Sequence, residues 1–302
     1  MKKIILSSLI LSSLIFSGCQ IGENTISPIP ENNDKISVIT SFYPLAFFTE
    51  EIAGGHAVVT NLSGSQSPHA YKISPRDRAN LSNADLIIYQ GIRLESWTEG
   101  LIPELEKNGI AIVEASHDLE LKKRKEHDEH DEEEYDPHTW LDPILAQQTA
   151  DNIAEKLIEI DPENTADYQK NLQNLKSRLQ NLDMLYKESL SNCSQEALVS
   201  HNALEYLEKR YNFDLHPIAG ISPSDEPSAK LLAELKELVE HEKITHILTE
   251  ENNVKKYAQM LSNETGLQMD SINPMGTTPK NGNYFDVSEK NISILHKALQ
   301  CQ

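Results

Sequence analysis

The sequence predicts an α/β protein of two parallel-sheet lobes joined by a long rigid connector helix, with a metal site in the interlobe cleft. Three observations carry this reading. Short β-branched runs alternate with amphipathic helical stretches in both halves of the chain. One uninterrupted helical stripe separates the halves. Three histidines lie in loops that follow a strand or precede a helix, two of them, His69 and His201, on the rim where open α/β sheets bind ligands. The 302 residues are enough for two lobes, each able to bury its own core.

In chain order, Lys2 and Lys3 precede an apolar run over 4–16 and then Ser17-Gly18-Cys19. This reads as a signal peptide over 1–18, because a spanning helix needs ~20 apolar residues. Its end resembles the lipobox of bacterial lipoproteins, with Phe16 where Leu is usual. That makes Cys19 the expected lipidated residue of an exported chain anchored to a bacterial membrane. The Pro, Asn, Ser and Glu content of 19–34 predicts a flexible tether.

The first lobe is expected over 35–160. Strands are read at 36–40, 57–62, 86–90 and 110–113, and helices at 45–53, 75–82 and 97–107. Gly54-Gly55 stops the first helix. Asp142-Pro143 starts another, as a carboxylate cap followed by proline at the first helical position, and Asp161-Pro162 repeats that signal. Tyr168, Leu172, Leu175, Leu179, Leu182 and Tyr186 then recur at three- and four-residue intervals. They predict a connector helix within 161–191, about 28 residues and roughly 40 Å long. The alternation resumes over 192–302, which reads as the second lobe. Cys193 and Cys301 are an even pair in an exported chain and read as a disulfide tying the tail to this lobe; two buried free thiols are the alternative.

A formal charge of −20 excludes a nucleic-acid footprint and favours a cation-facing protein. The charge is concentrated. Over 126–136, eight of eleven residues are acidic, with His127 and His130 among them. His69, His138 and His201 stand 69 and 63 residues apart, unlike any local zinc motif, so a site built from all three must lie between the lobes. By composition alone each could equally be an ordinary loop or core residue.

Four segments in register resemble the zinc-specific substrate-binding proteins of bacterial ABC importers. They are Ser67-Pro68-His69-Ala70-Tyr71, Asp136-Pro137-His138-Thr139-Trp140, Ser200-His201-Asn202-Ala203 and Gly220-Ile221-Ser222-Pro223. The resemblance implies His69, His138 and His201 as zinc ligands. In manganese-type relatives the positions of His201 and Asn273 are typically Glu and Asp, and imidazole suits zinc where carboxylates suit manganese. Water is the expected fourth ligand, with Glu250, Glu251, Asp270 or a loop carboxylate as alternatives. Asp136 is expected to orient His138, and Asp142 to cap its helix first and orient a ligand second. Trp140 and Tyr71 are read as packing residues. His56, His117, His216, His241, His246 and His296 are read as structural or surface positions. The acidic loop 122–136 is expected to hold further zinc weakly through His127 and His130.

The function implied is high-affinity capture of Zn(II), performing no chemistry, by a monomer that delivers the ion to an ABC permease. A three-His zinc hydrolase is the rival of another class. A metal-dependent surface adhesin would use the same scaffold.

Overall fold

Two four-stranded parallel sheets, built with the same strand order, account for the alternation read from the sequence. The computed structural model describes residues 35–123, 135–250 and 255–302. The signal peptide, Cys19, the tether, His127, His130 and Glu251 lie outside the described residues.

The first lobe comprises β1 (Ile36–Thr40), α1 (Tyr43–Ala53), β2 (Ala57–Asn61), α2 (Pro75–Leu81), β3 (Leu86–Tyr89), α3 (Thr98–Lys107), β4 (Ala111–Glu114) and α4 (Pro143–Ile160). The connector is α5 (Thr165–Ser189). The second lobe comprises β5 (Ala197–Val199), α6 (Glu205–Tyr211), β6 (Leu215–Pro217), α7 (Ala229–Glu242), β7 (His246–Thr249), α8 (Lys255–Thr265), β8 (Gln268–Ser271) and α9 (Tyr284–Ala298). The sheets run β2-β1-β3-β4 and β6-β5-β7-β8. In each, the chain turns to one side of its first strand and then to the other. That switch opens a crevice at the carboxyl ends of the two central strands. In the second sheet these are β5 and β7, which deliver His201 and Glu250.

Local sequence explains where the helices start and stop. Gly54, at φ 57°, ends α1 with its N–H on the Glu50 carbonyl, a conformation that suits a residue without Cβ. Asp142 Oδ1 accepts the N–H groups of Ile144 and Leu145 at 2.8 and 3.3 Å, with Pro143 at the first position of α4. The same dipeptide at Asp161-Pro162 behaves differently. A 3-10 turn over Pro162–Asn164 intervenes before α5, and the Asp161 side chain caps no helix. Its carboxylate instead accepts from Asn164 Nδ2 at 2.8 Å and from the Tyr168 hydroxyl.

The connector is a helix of 25 residues, ~37 Å at ~1.5 Å per residue. Tyr168, Leu175, Leu179, Leu182 and Tyr186 form its buried stripe, while Leu172 is only partly buried. One apolar core runs along it, from Phe42, Phe48 and Trp140 to Tyr186, Leu248 and Tyr284. The lobes therefore share packed side chains. Among the described residues no helix is long and apolar enough to cross a membrane.

Cys193 and Cys301 form a disulfide across 108 residues of sequence. The N–H groups of Ser194 and Gln195 both reach the Leu299 carbonyl, at 3.1 and 3.0 Å, so the end of α9 is stitched to the segment entering β5. Closing so long a loop removes unfolded-state entropy. The double variant Cys193→Ser/Cys301→Ser is expected to lose about 2–4 kcal/mol in urea unfolding. An unchanged midpoint would show that the backbone stitching suffices.

Candidate metal centre

Three loops converge between the sheets. His69 lies in the connection between β2 and α2, where Tyr71 is buried and its hydroxyl donates to Asp77 Oδ2 at 2.8 Å. Asp77 itself belongs to the capping box of α2, so this loop is tied to a helix start. His138 follows the acidic stretch and begins a 3-10 turn over Thr139–Leu141. His201 lies two residues beyond the end of β5, after Ser200.

The imidazoles face one another. His69 Nε2 and His138 Nε2 are 3.1 Å apart, and one ring nitrogen from each of the three histidines lies within 4.8 Å of the other two. Tetrahedral donors at ~2.1 Å from a zinc ion would stand roughly 3.4 Å apart, a spacing that lies between the 3.1 Å of the first pair and the 4.8 Å limit of the set.

Buried carboxylates stand behind two of the rings. Asp136 Oδ1 accepts from both the backbone N–H and Nδ1 of His138, at 2.9 and 2.7 Å, leaving Nε2 as the metal-facing lone pair. Glu250 pairs with His201 Nδ1 and accepts from Ser200 Oγ at 3.1 Å, so the carboxylate engages one ring nitrogen and the other is left for a further partner. Burial pushes the Asp136 carboxyl up to about 8, against the hydrogen bond from the His138 N–H that lowers it. His69 is held well below the ordinary imidazole value, first by desolvation and then by the two neighbouring imidazoles. That keeps the His69 ring neutral, the form a metal needs.

The remaining expectations divide. Trp140 packs edge-on against Phe42, with ring centroids 4.6 Å apart, and its Nε1–H donates to the Pro274 carbonyl at 2.8 Å. Asp142 orients no imidazole: one oxygen caps α4 and the other accepts from Arg210 Nε at 2.5 Å, joining the lobes. Asp270 pairs with Lys297 at 2.9 Å and lies 3.7 Å from His246, in a cluster of its own. The Asn273 amide oxygen is taken by the Met275 N–H. No carboxylate of the described residues joins the three nitrogens. The six other described histidines have local partners, as His56 does in Asp167 and His216 in Glu196. Above the triad a cavity of about 760 Å³ is lined by Ser67, Asn273, Thr277 and Lys290 among others. Sequence reading missed Arg210, Tyr206 and the 271–282 segment that roofs this cavity.

Residues 38–298 match the family model described as ZnuA, zinc-uptake complex component A, periplasmic. A zinc-binding lipoprotein, AdcA of Streptococcus pneumoniae, is 35% identical over 98% of this chain, which spans 60% of that longer protein. A Zn(II)-bound mutant variant of AdcAII from Streptococcus pneumoniae superposes with a TM-score of 0.82 at 35% identity, covering 88% of this chain and 99% of that one. The laminin-binding protein Lmb of Streptococcus agalactiae, described as bifunctional with adhesin and metal transporting activity, gives 0.80 at 32% identity over the same shares. With its connector, its second sheet and its interlobe histidines inside the matched span, and all of the first sheet but the start of β1, this chain belongs to the ZnuA family of zinc-uptake components.

Proposed function

We propose that this chain captures Zn(II) outside the cytoplasm and delivers it to the permease of an ABC importer. The observation that carries the reading is the convergence of His69, His138 and His201 within 4.8 Å, with carboxylates behind two of the rings. Three imidazoles with no described carboxylate in the set favour zinc over manganese, whose preference is oxygen. Water from the cavity completes the coordination.

The same geometry argues against the hydrolase. A general base beside a zinc-bound water would assist hydrolysis, and the carboxylates of Asp136 and Glu250 are instead committed to the far sides of His138 and His201. We assign 35–160, 161–191 and 192–302 as first lobe, connector and second lobe of a monomer, with the chain anchored through Cys19 after removal of 1–18 and tethered by 19–34. We also assign a weak auxiliary zinc site to His127 and His130 in the acidic loop. Deleting residues 124–134 of that loop, a cut that spares Lys122 and Asp136, is expected to lower zinc stoichiometry above one per chain and leave the cleft affinity unchanged, as calorimetry would read.

Adhesion is a second reading, favoured by the description of the similar Lmb protein. The two readings share the cleft and differ in the macromolecular surface they need. The deciding experiment for capture is metal analysis of protein purified without added ions, with a competition titration between zinc and manganese. Zinc near one equivalent, undisplaced by a large excess of manganese, supports it. Manganese occupancy or an empty cleft under zinc overturns it.

A further inference from the structure

We propose that Tyr206 is a positioning residue of the metal site, whose hydroxyl holds His138 of the first lobe in register with His201 of the second. The inference rests on the reading of His69, His138 and His201 as zinc ligands. Tyr206 lies on α6, the helix that follows the His201 loop. Its hydroxyl donates to the Asp136 carbonyl at 2.8 Å and accepts the Lys122 N–H at 3.1 Å. Asp136 is the residue whose carboxylate grips His138 through two hydrogen bonds. The hydroxyl therefore sits one residue's backbone away from a ligand's orienting group.

A second bond along the same seam strengthens the argument. Lys122 Nζ donates to the Glu205 carbonyl at 3.1 Å and stands 3.4 Å from Glu205 Oε2. Glu205 Oε1 accepts in turn from the amide of Asn202, the residue after His201, at 2.5 Å. Thus the strand of contacts from His138 runs through Asp136, Tyr206, Lys122 and Glu205 to the neighbour of His201. Asp136, Glu205 and Tyr206 are all buried, so water cannot replace the lost partners freely.

Removing one oxygen should act on the ion more than on the fold. Metal donors must sit within ~0.2 Å of their ideal distance, and loss of an outer orienting partner typically weakens binding about 10–100-fold. Tyr211 offers a matched control. It is on the same helix, equally buried, and its hydroxyl donates to Asp183 Oδ1 at 3.1 Å on the connector rather than to a ligand segment.

The test compares parent, Tyr206→Phe, Tyr211→Phe, Lys122→Met and His201→Ala in the full chain. Zinc affinity is read by competition with a chromophoric chelator, apo stability by thermal melting, and ligand geometry by the visible bands of the Co(II) form. Tyr206→Phe is expected to weaken zinc about 10-fold and alter the Co(II) bands, with Lys122→Met weaker by about 3-fold. Tyr211→Phe should melt earlier yet keep its affinity within about twofold. Equal affinity changes in the two tyrosine variants, or parental affinity in Tyr206→Phe, overturn the proposal. Should Tyr206→Phe not fold, parental affinity and bands in Lys122→Met overturn it. Zinc retained by His201→Ala would sink the ligand assignment as well, whereas zinc lost there but kept by Tyr206→Phe sinks this inference alone.

Discussion

His201→Ala is expected to abolish the thermal stabilisation that zinc confers. A ligand that binds only the native state stabilises by RT ln(1 + [L]/Kd), about 2.7 kcal/mol at a hundredfold excess over Kd. For a folded unit of this size that corresponds to a rise of about 5–10 °C in Tm. Loss of a direct ligand should exceed the ~100-fold effect of losing an orienting partner, which at the same zinc concentration leaves about 0.4 kcal/mol, a rise of ~1 °C. The variant also strips the Glu250 carboxylate of its imidazole partner, and losing the partner of a buried polar group costs about 1–3 kcal/mol, so the apo protein should melt earlier too. The informative quantity is therefore the zinc-induced shift within each variant, not the absolute Tm. A shift of parental size in His201→Ala would remove that residue from the ligand set.

Much of the fold is legible because parallel strands and amphipathic helices each leave a periodic trace. The β-branched run at Ile36–Thr40 and the stripe from Tyr168 to Tyr186 both appear in the structure where their periods place them. The three histidines are legible for a different reason: each follows a strand or precedes a helix, and that rim is where two sheets can face a common ion. What stays hidden is pairing over distance. Tyr206 meets Asp136 across 70 positions and Arg210 meets Asp142 across 68, yet on α6 both read as ordinary amphipathic residues. The Asp-Pro signal shows the complementary failure. At Asp142 it caps a helix, whereas at Asp161 the hydroxyl of Tyr168 takes the carboxylate and a 3-10 turn results. Tertiary partners decide between two uses of one local motif.

Acid should empty the cleft, in a manner shaped by the burial of His69. Zinc binds neutral imidazole, so every proton taken up by the triad competes with the ion. Were all three rings to protonate together near the ordinary value of ~6.5, affinity would fall up to about a thousandfold per pH unit. His69 is held well below that value by desolvation and by the two imidazoles beside it. The fall should therefore be shallower than that at first, and steepen only once the pH passes through the folded His69 value. The same shift sets the sign for the apo protein. Between the folded value of His69 and ~6.5 the unfolded chain binds more protons than the native one, so this contribution to stability is present above ~6.5 and is lost as pH falls through the folded value. The holo protein should lose stability faster than the apo protein over that window, because it forfeits the zinc term as well. Chelator competition from pH 7.5 to pH 5, run beside thermal melts of both forms, measures each slope. An affinity flat to pH 5 would mean that carboxylates, not His69, His138 and His201, hold the ion.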